Sequence, residues 1–185
     1  MATSRDNKSI SQFKSALIGG GARPNLFEVE LTTLPTGISW NSENFRFMCK
    51  AAALPAQNIA AIDIPFRGRI FKVAGDRTID TWTVTIINDE SFELRNAMEQ
   101  WTEVIAKLDN NLGATSPDAY MTNAKVFQLG RGSQKASTNS DGSSNAVLKE
   151  YEFIDIFPTS VSEIALSYDT GDTIEEFDVE FQVQS

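Results

Sequence analysis

Residues 176–183 read EFDVEFQV. Phe177, Val179, Phe181 and Val183 point one way, and Glu176, Asp178, Glu180 and Gln182 point the other. A repeat of two fits the pleat of a β-strand with one face on a core and one in water, and it does not fit a helix. The same rhythm recurs along the chain. Phe27, Val29 and Leu31 alternate with Glu28 and Glu30, and Phe45, Phe47 and Cys49 with Arg46 and Met48. Ile62, Ile64 and Phe66 line up likewise, with Pro65 pointing to an edge position. Trp82, Val84 and Ile86 oppose Thr81, Thr83 and Thr85 in a strongly β-prone run. Ile164, Leu166 and Tyr168 alternate as well, before a turn expected at DTGD, 169–172.

One segment departs from this period. In SFELRNAMEQWTEVIAKLDNNLG the apolar residues Leu94, Met98, Trp101, Ile105 and Leu108 fall at steps of four and three, which predicts an amphipathic helix with one core-facing stripe. Asn88 is the expected N-cap, Asp89, Glu90 and Glu93 suit the positive end of the helix dipole, and Gly113 follows the last turn. A short N-terminal helix is expected through Ile10, Phe13 and Leu17, before Gly19–Gly21. The fold class is therefore mainly β, a barrel or sandwich with one packed amphipathic helix. With one helix to cover several strands, the sheet must close on itself or pair its edges with neighbouring molecules.

The 185 residues suit one domain, spanning 1–185, with 1–21 as an N-terminal arm. The Ser-, Asn- and Gly-rich stretch 133–146 reads as a flexible surface loop. No apolar run approaches the length needed to cross a bilayer, and the N-terminus lacks the apolar stretch of a signal peptide.

The composition removes most catalytic chemistry. There is no histidine, so Ser-His and Cys-His pairs and the usual zinc sites are excluded. One cysteine, Cys49, excludes an internal disulfide and a cysteine metal cluster, and reads as a small buried side chain. GGGARPN and LGRGS lack the spacing and context of a phosphate loop. No enzyme activity and no cofactor are expected.

Net charge is −9, which argues against adhesion to nucleic acid. Its distribution is uneven. Residues 150–185 carry ten acids and no base, whereas residues 46–77 carry six bases (Arg46, Lys50, Arg67, Arg69, Lys72, Arg77) against Asp63 and Asp76. These are either solvated faces of one molecule or complementary surfaces that dock copies head to tail. Within VAGDRTIDTW, 73–82, residues Val73–Gly75 read as a strand end, Asp76 and Arg77 as a turn, and Trp82 as buried. Asp76, Arg77 and Asp80 form a polar joint that either braces the turn or binds a neighbour.

Four blocks, ARPNLFEVE (22–30), CKAAALPA (49–56), VAGDRTIDTWTVTIINDE (73–90) and FPTSVSEIALSYD (157–169), resemble the tail tube proteins of T-even-like, contractile-tailed bacteriophages. The resemblance spans most of the chain from about residue 22. The 133–146 loop looks like an insertion, and the segment around Thr36–Glu43 is slightly longer than the family pattern. The resemblance implies a structural protein of the virion, assembled in the host cytoplasm. It also implies hexameric rings stacked head to tail into an inner tube, through which double-stranded DNA passes without specific binding. Implied partners are further copies of itself, the tail sheath, and baseplate, tape-measure and tail terminator proteins. Candidate subunit contacts are Arg23, Asn25, Arg67, Arg69, Lys72, Asp76, Arg77 and Asp80; Glu152 and Asp155 are candidates for the lumen wall. The alternatives are the inner tube of a phage-derived injection device, a tube–baseplate junction ring and, more remotely, a monomeric ligand-binding β-barrel.

Overall fold

The computed structural model describes residues 10–17, 21–35, 37–38, 40–110, 112–130, 147–169 and 171–185. The 133–146 loop and part of the 1–21 arm lie outside the described residues. Contacts divide the chain into two compact units, Met1–Glu28 with Val126–Tyr151, and Val29–Lys125 with Glu152–Ser185.

The smaller unit contains helix α1 (Ile10–Ala16), the N-terminal helix expected from Ile10, Phe13 and Leu17, which buries none of its residues. In the same unit Gln128 donates through Nε2 to the carbonyls of Arg23 and Leu26, at 2.7 and 2.8 Å, and the Leu129 amide bonds Leu26. These bonds hold the Arg23–Leu26 turn against a strand end.

The remaining elements, in chain order, are β1 (Phe27–Leu31), α2 (Ser42–Met48), β2 (Cys49–Ala52), β3 (Gln57–Phe66), β4 (Arg69–Ile79), β5 (Trp82–Ile87), α3 (Glu93–Ile105), β6 (Thr122–Leu129), β7 (Val147–Val161) and β8 (Glu176–Gln182). The division of the chain falls within β1, β6 and β7, and the larger unit holds the others. Six strands form one sheet in the order β1-β6-β7-β8-β5-β2, and β3 and β4 form a separate two-stranded ribbon. The mainly β expectation holds, but the sheet is open. Closure needs the two edge strands to meet, and among the described residues β1 and β2 each pair on one side only.

The period-two reading places the core correctly. Trp82 pairs with Phe181, Val84 with Val179 and Ile86 with Phe177, and all six side chains are buried on one face. Helix α3 covers that face through Leu94, Ala97, Met98 and Trp101. Trp101 lies 5.8 Å from the Phe181 ring and donates through Nε1 to the Tyr120 carbonyl at 2.7 Å. Arg95 sits 5.2 Å over the Phe177 ring, donates to the Ser162 carbonyl at 2.6 Å and pairs with Glu99.

Four local expectations are corrected. FRFMCK is not a strand: α2 occupies 42–48, capped by Asn41 Oδ1 accepting from the Glu43 amide at 3.0 Å. Glu93 accepts from the Asn41 amide, and Phe45 stacks on Trp40, so tertiary bonds choose helix where the local pattern permits either. Asn88 does not cap α3. It is buried and bonds Glu175 through both backbone and side chain, while the helix starts at Glu93 behind a left-handed Phe92. The helix also ends at Ile105, leaving Leu108 94% exposed. The returning chain blocks its axis: a Cβ on Gly113 would lie 1.8 Å from the Ile105 carbonyl oxygen. Finally, residues 162–167 form no strand, and Leu166 and Tyr168 lie in solvent.

Cys49 is buried, and burial pushes its thiol from 9.0 up to about 12. The folded thiol keeps a proton that the unfolded one has lost. Its stabilisation is therefore complete below pH 9.0 and is lost as pH climbs from 9.0 towards about 12. The parent should lose more stability than Cys49→Ala across that window in denaturant titrations; parallel slopes would exclude the effect.

Candidate self-association surfaces

Two surfaces of the larger unit stand out, the β3–β4 ribbon and the face of the sheet opposite α3. In the ribbon, Arg67 and Gly68 have φ of 46° and 81° and form the two-residue turn. Positive φ at both positions matches the right-handed twist of the flanking strands, and glycine accepts it without strain. The turn expected at Asp76 and Arg77 is absent. Both residues lie within β4, which runs unbroken from 69 to 79.

Cross-strand partners share a face. On one face Ile62 meets Val73, Ile64 meets Phe71, and Phe66 meets Arg69; on the other, Ala61 meets Ala74, Asp63 meets Lys72, and Pro65 meets Ile70. Every residue of β3 is exposed, and seven of the ribbon's eight large apolar residues (Ile59, Ile62, Ile64, Phe66, Ile70, Phe71 and Val73) are 39–66% exposed, Ile79 at the root being half-buried. An isolated two-stranded ribbon is marginal in water, and an apolar patch of this kind signals a partner. The ribbon carries four bases and two acids, net +2, so the remaining chain carries −11 of the total −9.

The ribbon gathers five of the candidate contact residues, and Asp80 follows its last residue. Arg67 stacks over Phe66 at 5.5 Å, Arg69 adjoins the tip, and Lys72 lies 4.0 Å from Asp63. At the root, Arg77 donates to Gln57 Oε1. Asp80 accepts from Asn58 Nδ2 at 3.1 Å, and its amide bonds the Ala56 carbonyl at 3.0 Å. Arg77 and Asp80 thus brace the ribbon within the chain, and Asp76 sits at a register shift beside them. Arg23 and Asn25 belong to the smaller unit, where both are exposed. A groove of about 520 Å³ lies beside the root, lined by Gln57, Arg77–Ile79 and Gln182–Ser185. Among the described residues no cluster of three His, Cys, Asp or Glu could hold a metal ion.

The sheet face opposite α3 carries a ladder of threonines and acids. Thr83 opposes Glu180, and Thr85 opposes Asp178 and donates to it at 2.6 Å. Lys50 bridges both oxygens of Glu176 at 2.6 and 2.8 Å. The candidates Glu152 and Asp155 are exposed on β7. Glu152 lies 3.9 Å from Lys125. Asp155 has φ 54°, a left-handed conformation that aspartate tolerates, and its amide donates to Asn123 Oδ1 at 3.1 Å. The acids of β8 were missing from the candidate set, although EFDVEFQV already placed all three on its polar face.

A family model described as phage tail tube protein matches residues 22–185. The tail tube protein gp19 of Enterobacteria phage T4 is 38% identical over 161 residues, covering 87% of this chain and 88% of that protein. The gp19 of phage T6 is 37% identical over the same shares. Among solved structures, a chain of the anti-feeding prophage baseplate aligns with a TM-score of 0.59 at 10% identity, covering 89% of this chain and 93% of its own. A chain of the PVC contractile injection system sheath–tube complex in the extended state aligns at 0.56 and 14% identity, covering 96% and 95%. At such identities the structural likeness is one of fold.

Proposed function

The chain belongs to the phage tail tube protein family, and on that premise we propose that ribbon β3–β4 of one copy docks on the acidic body of another to join stacked hexameric rings. The protein is a structural component of the virion tail tube. The observation that carries the docking reading is the ribbon: seven exposed large apolar side chains on a net-positive arm of an acidic chain. Docking would cover both the apolar face and the opposed charges.

In this reading the Thr–Asp–Glu face of the sheet lines the channel. Glu176, Asp178 and Glu180 then repel DNA phosphates within a Debye length, roughly 8 Å at physiological salt, and keep double-stranded DNA mobile. We infer by analogy with the sheath–tube, baseplate and terminator assemblies of its fold neighbours that the tube meets a sheath along its length. Baseplate, tape-measure and terminator proteins would meet its ends. Catalysis has no part in this role, in keeping with a chain that has no histidine. The greater identity to phage tail tube proteins, 38% against 10–14% for injection-system chains, favours a phage tail over an injection device. The open sheet disfavours a monomeric ligand-binding barrel.

Charge reversal tests the docking. Arg67→Glu with Arg69→Glu changes the ribbon from net +2 to −2. Negative-stain microscopy should show tubes for the parent and none for the variant at equal concentration. Raising salt towards 1 M, where the Debye length falls to about 3 Å, should weaken parent assembly without abolishing it, because the apolar contacts remain. Full-length tubes from the reversed variant would refute the electrostatic half of the proposal.

A further inference from the structure

Between the root and the tip of the ribbon the pairing slips. Ile59 pairs with Arg77, but Ala61 pairs with Ala74, so β3 advances two residues while β4 advances three. Gly75 and Asp76 therefore share the place opposite Ala60, which defines a β-bulge. The bulge divides the ribbon into two parts. The root, Gln57–Ile59 with Arg77–Ile79, is closed by Asp80, which bonds Asn58 and Ala56 on the opposite strand. The distal part carries the apolar face of Ile62, Ile64, Phe66, Phe71 and Val73.

The residues paired next to the bulge on both strands are exposed, and no residue of β3 or β4 belongs to the core. The place is also crowded: a Cβ at Gly75 would lie 3.0 Å from the Ala60 carbonyl oxygen and 3.1 Å from Ile62 Cγ1, so a side chain there would push its neighbours by a few tenths of an ångström. A bulge bends its strand and increases the local twist while leaving cross-strand faces intact beyond it. Deleting the extra residue would thus keep Ile62, Ile64, Phe66, Phe71 and Val73 on one face but point that face elsewhere.

We propose that the Gly75–Asp76 bulge is a positioning element that aims the distal ribbon at its docking surface on a second copy. The inference rests on the docking reading above, and the experiment separates the two. Three variants are compared with the parent by thermal melting and by negative-stain microscopy. The first deletes Gly75 and carries Asp76→Thr, giving a regular ladder with a good strand former. The second carries Asp76→Thr alone and retains the extra residue. The third carries Ile64→Lys and Phe71→Lys on an intact bulge. The expected result is loss of tubes in the first with an unchanged melt, tubes in the second, and no tubes in the third. Tubes from the first variant overturn the bulge inference. So does a lowered melt of the first, because it would assign the bulge to the stability of the body. Failure of the second to form tubes also overturns it, by assigning the effect to the Asp76 carboxylate. Tubes from the third variant overturn the docking reading itself.

Discussion

Lysine at both Ile64 and Phe71 should give a monomer that melts with the parent and forms no tubes. The two residues face each other across β3 and β4 at the middle of the distal apolar face, 46% and 65% exposed in the single chain. Their substitution touches nothing in the core, so the melt should stay within about 0.5 kcal/mol of the parent, as for surface changes generally. Assembly is a different matter. Burying one large apolar side chain is worth about 1.5–3 kcal/mol. The double variant forfeits two such terms per docked ribbon and brings two charges into the contact. A deficit of about 3–6 kcal/mol per contact corresponds to roughly a 10²- to 10⁴-fold weaker association. Analytical ultracentrifugation together with negative-stain microscopy reads both quantities. Tubes of parental length would leave the ribbon as ornament and end the docking account.

The largest stability effect belongs to Phe181→Ala. Phe181 is fully buried on β8, pairs across the ladder with Trp82 at 5.4 Å between rings, and meets Trp101 of α3 at 5.8 Å. It joins sheet to helix at the centre of the core. Removing a buried phenyl ring costs about 3–5 kcal/mol, a large share of the 5–15 kcal/mol that holds a typical domain folded. For a chain of this size the melt should fall by roughly 6–20 °C. Trp101→Phe is the comparison. It keeps an aromatic ring against Phe181 but loses the hydrogen bond to the Tyr120 carbonyl. The bond alone accounts for about 1 kcal/mol. If Phe181→Ala cost no more than Trp101→Phe in urea denaturation, the helix-on-sheet core described here would be wrong.

Much of this molecule was legible without coordinates. The strands 27–31, 82–87 and 176–182 coincide with stretches where apolar and polar residues alternate, and of the residues that the alternation selects there Val29, Leu31, Trp82, Val84, Ile86, Phe177, Val179 and Phe181 are buried while Phe27 is half-buried. The stripe Leu94, Met98 and Trp101 likewise found its core. The candidate contacts gathered at the ribbon because basic residues crowd between 67 and 77, and charge survives any uncertainty of conformation. The acids of β8 are equally readable from their alternation, whereas β7, which carries Glu152 and Asp155, contains a left-handed residue that no local pattern announces.

Local periodicity decided which side chains share a face, because the pleat and the helical turn are set by bonds a few residues long. It decided the apolar stripes, the polar ladder of β8 and the chemistry this chain lacks. Tertiary structure decided the rest. Glu93 fixed α2 where an alternating segment allowed a strand, and the chain passing Gly113 ended α3 before its stripe ran out. The open order of the sheet, the Arg67–Gly68 turn and the extra residue opposite Ala60 likewise depend on partners remote in sequence. Pairing and register are contests between distant segments, settled by the free energy of the whole, and a repeat of two looks the same on either side of a slip.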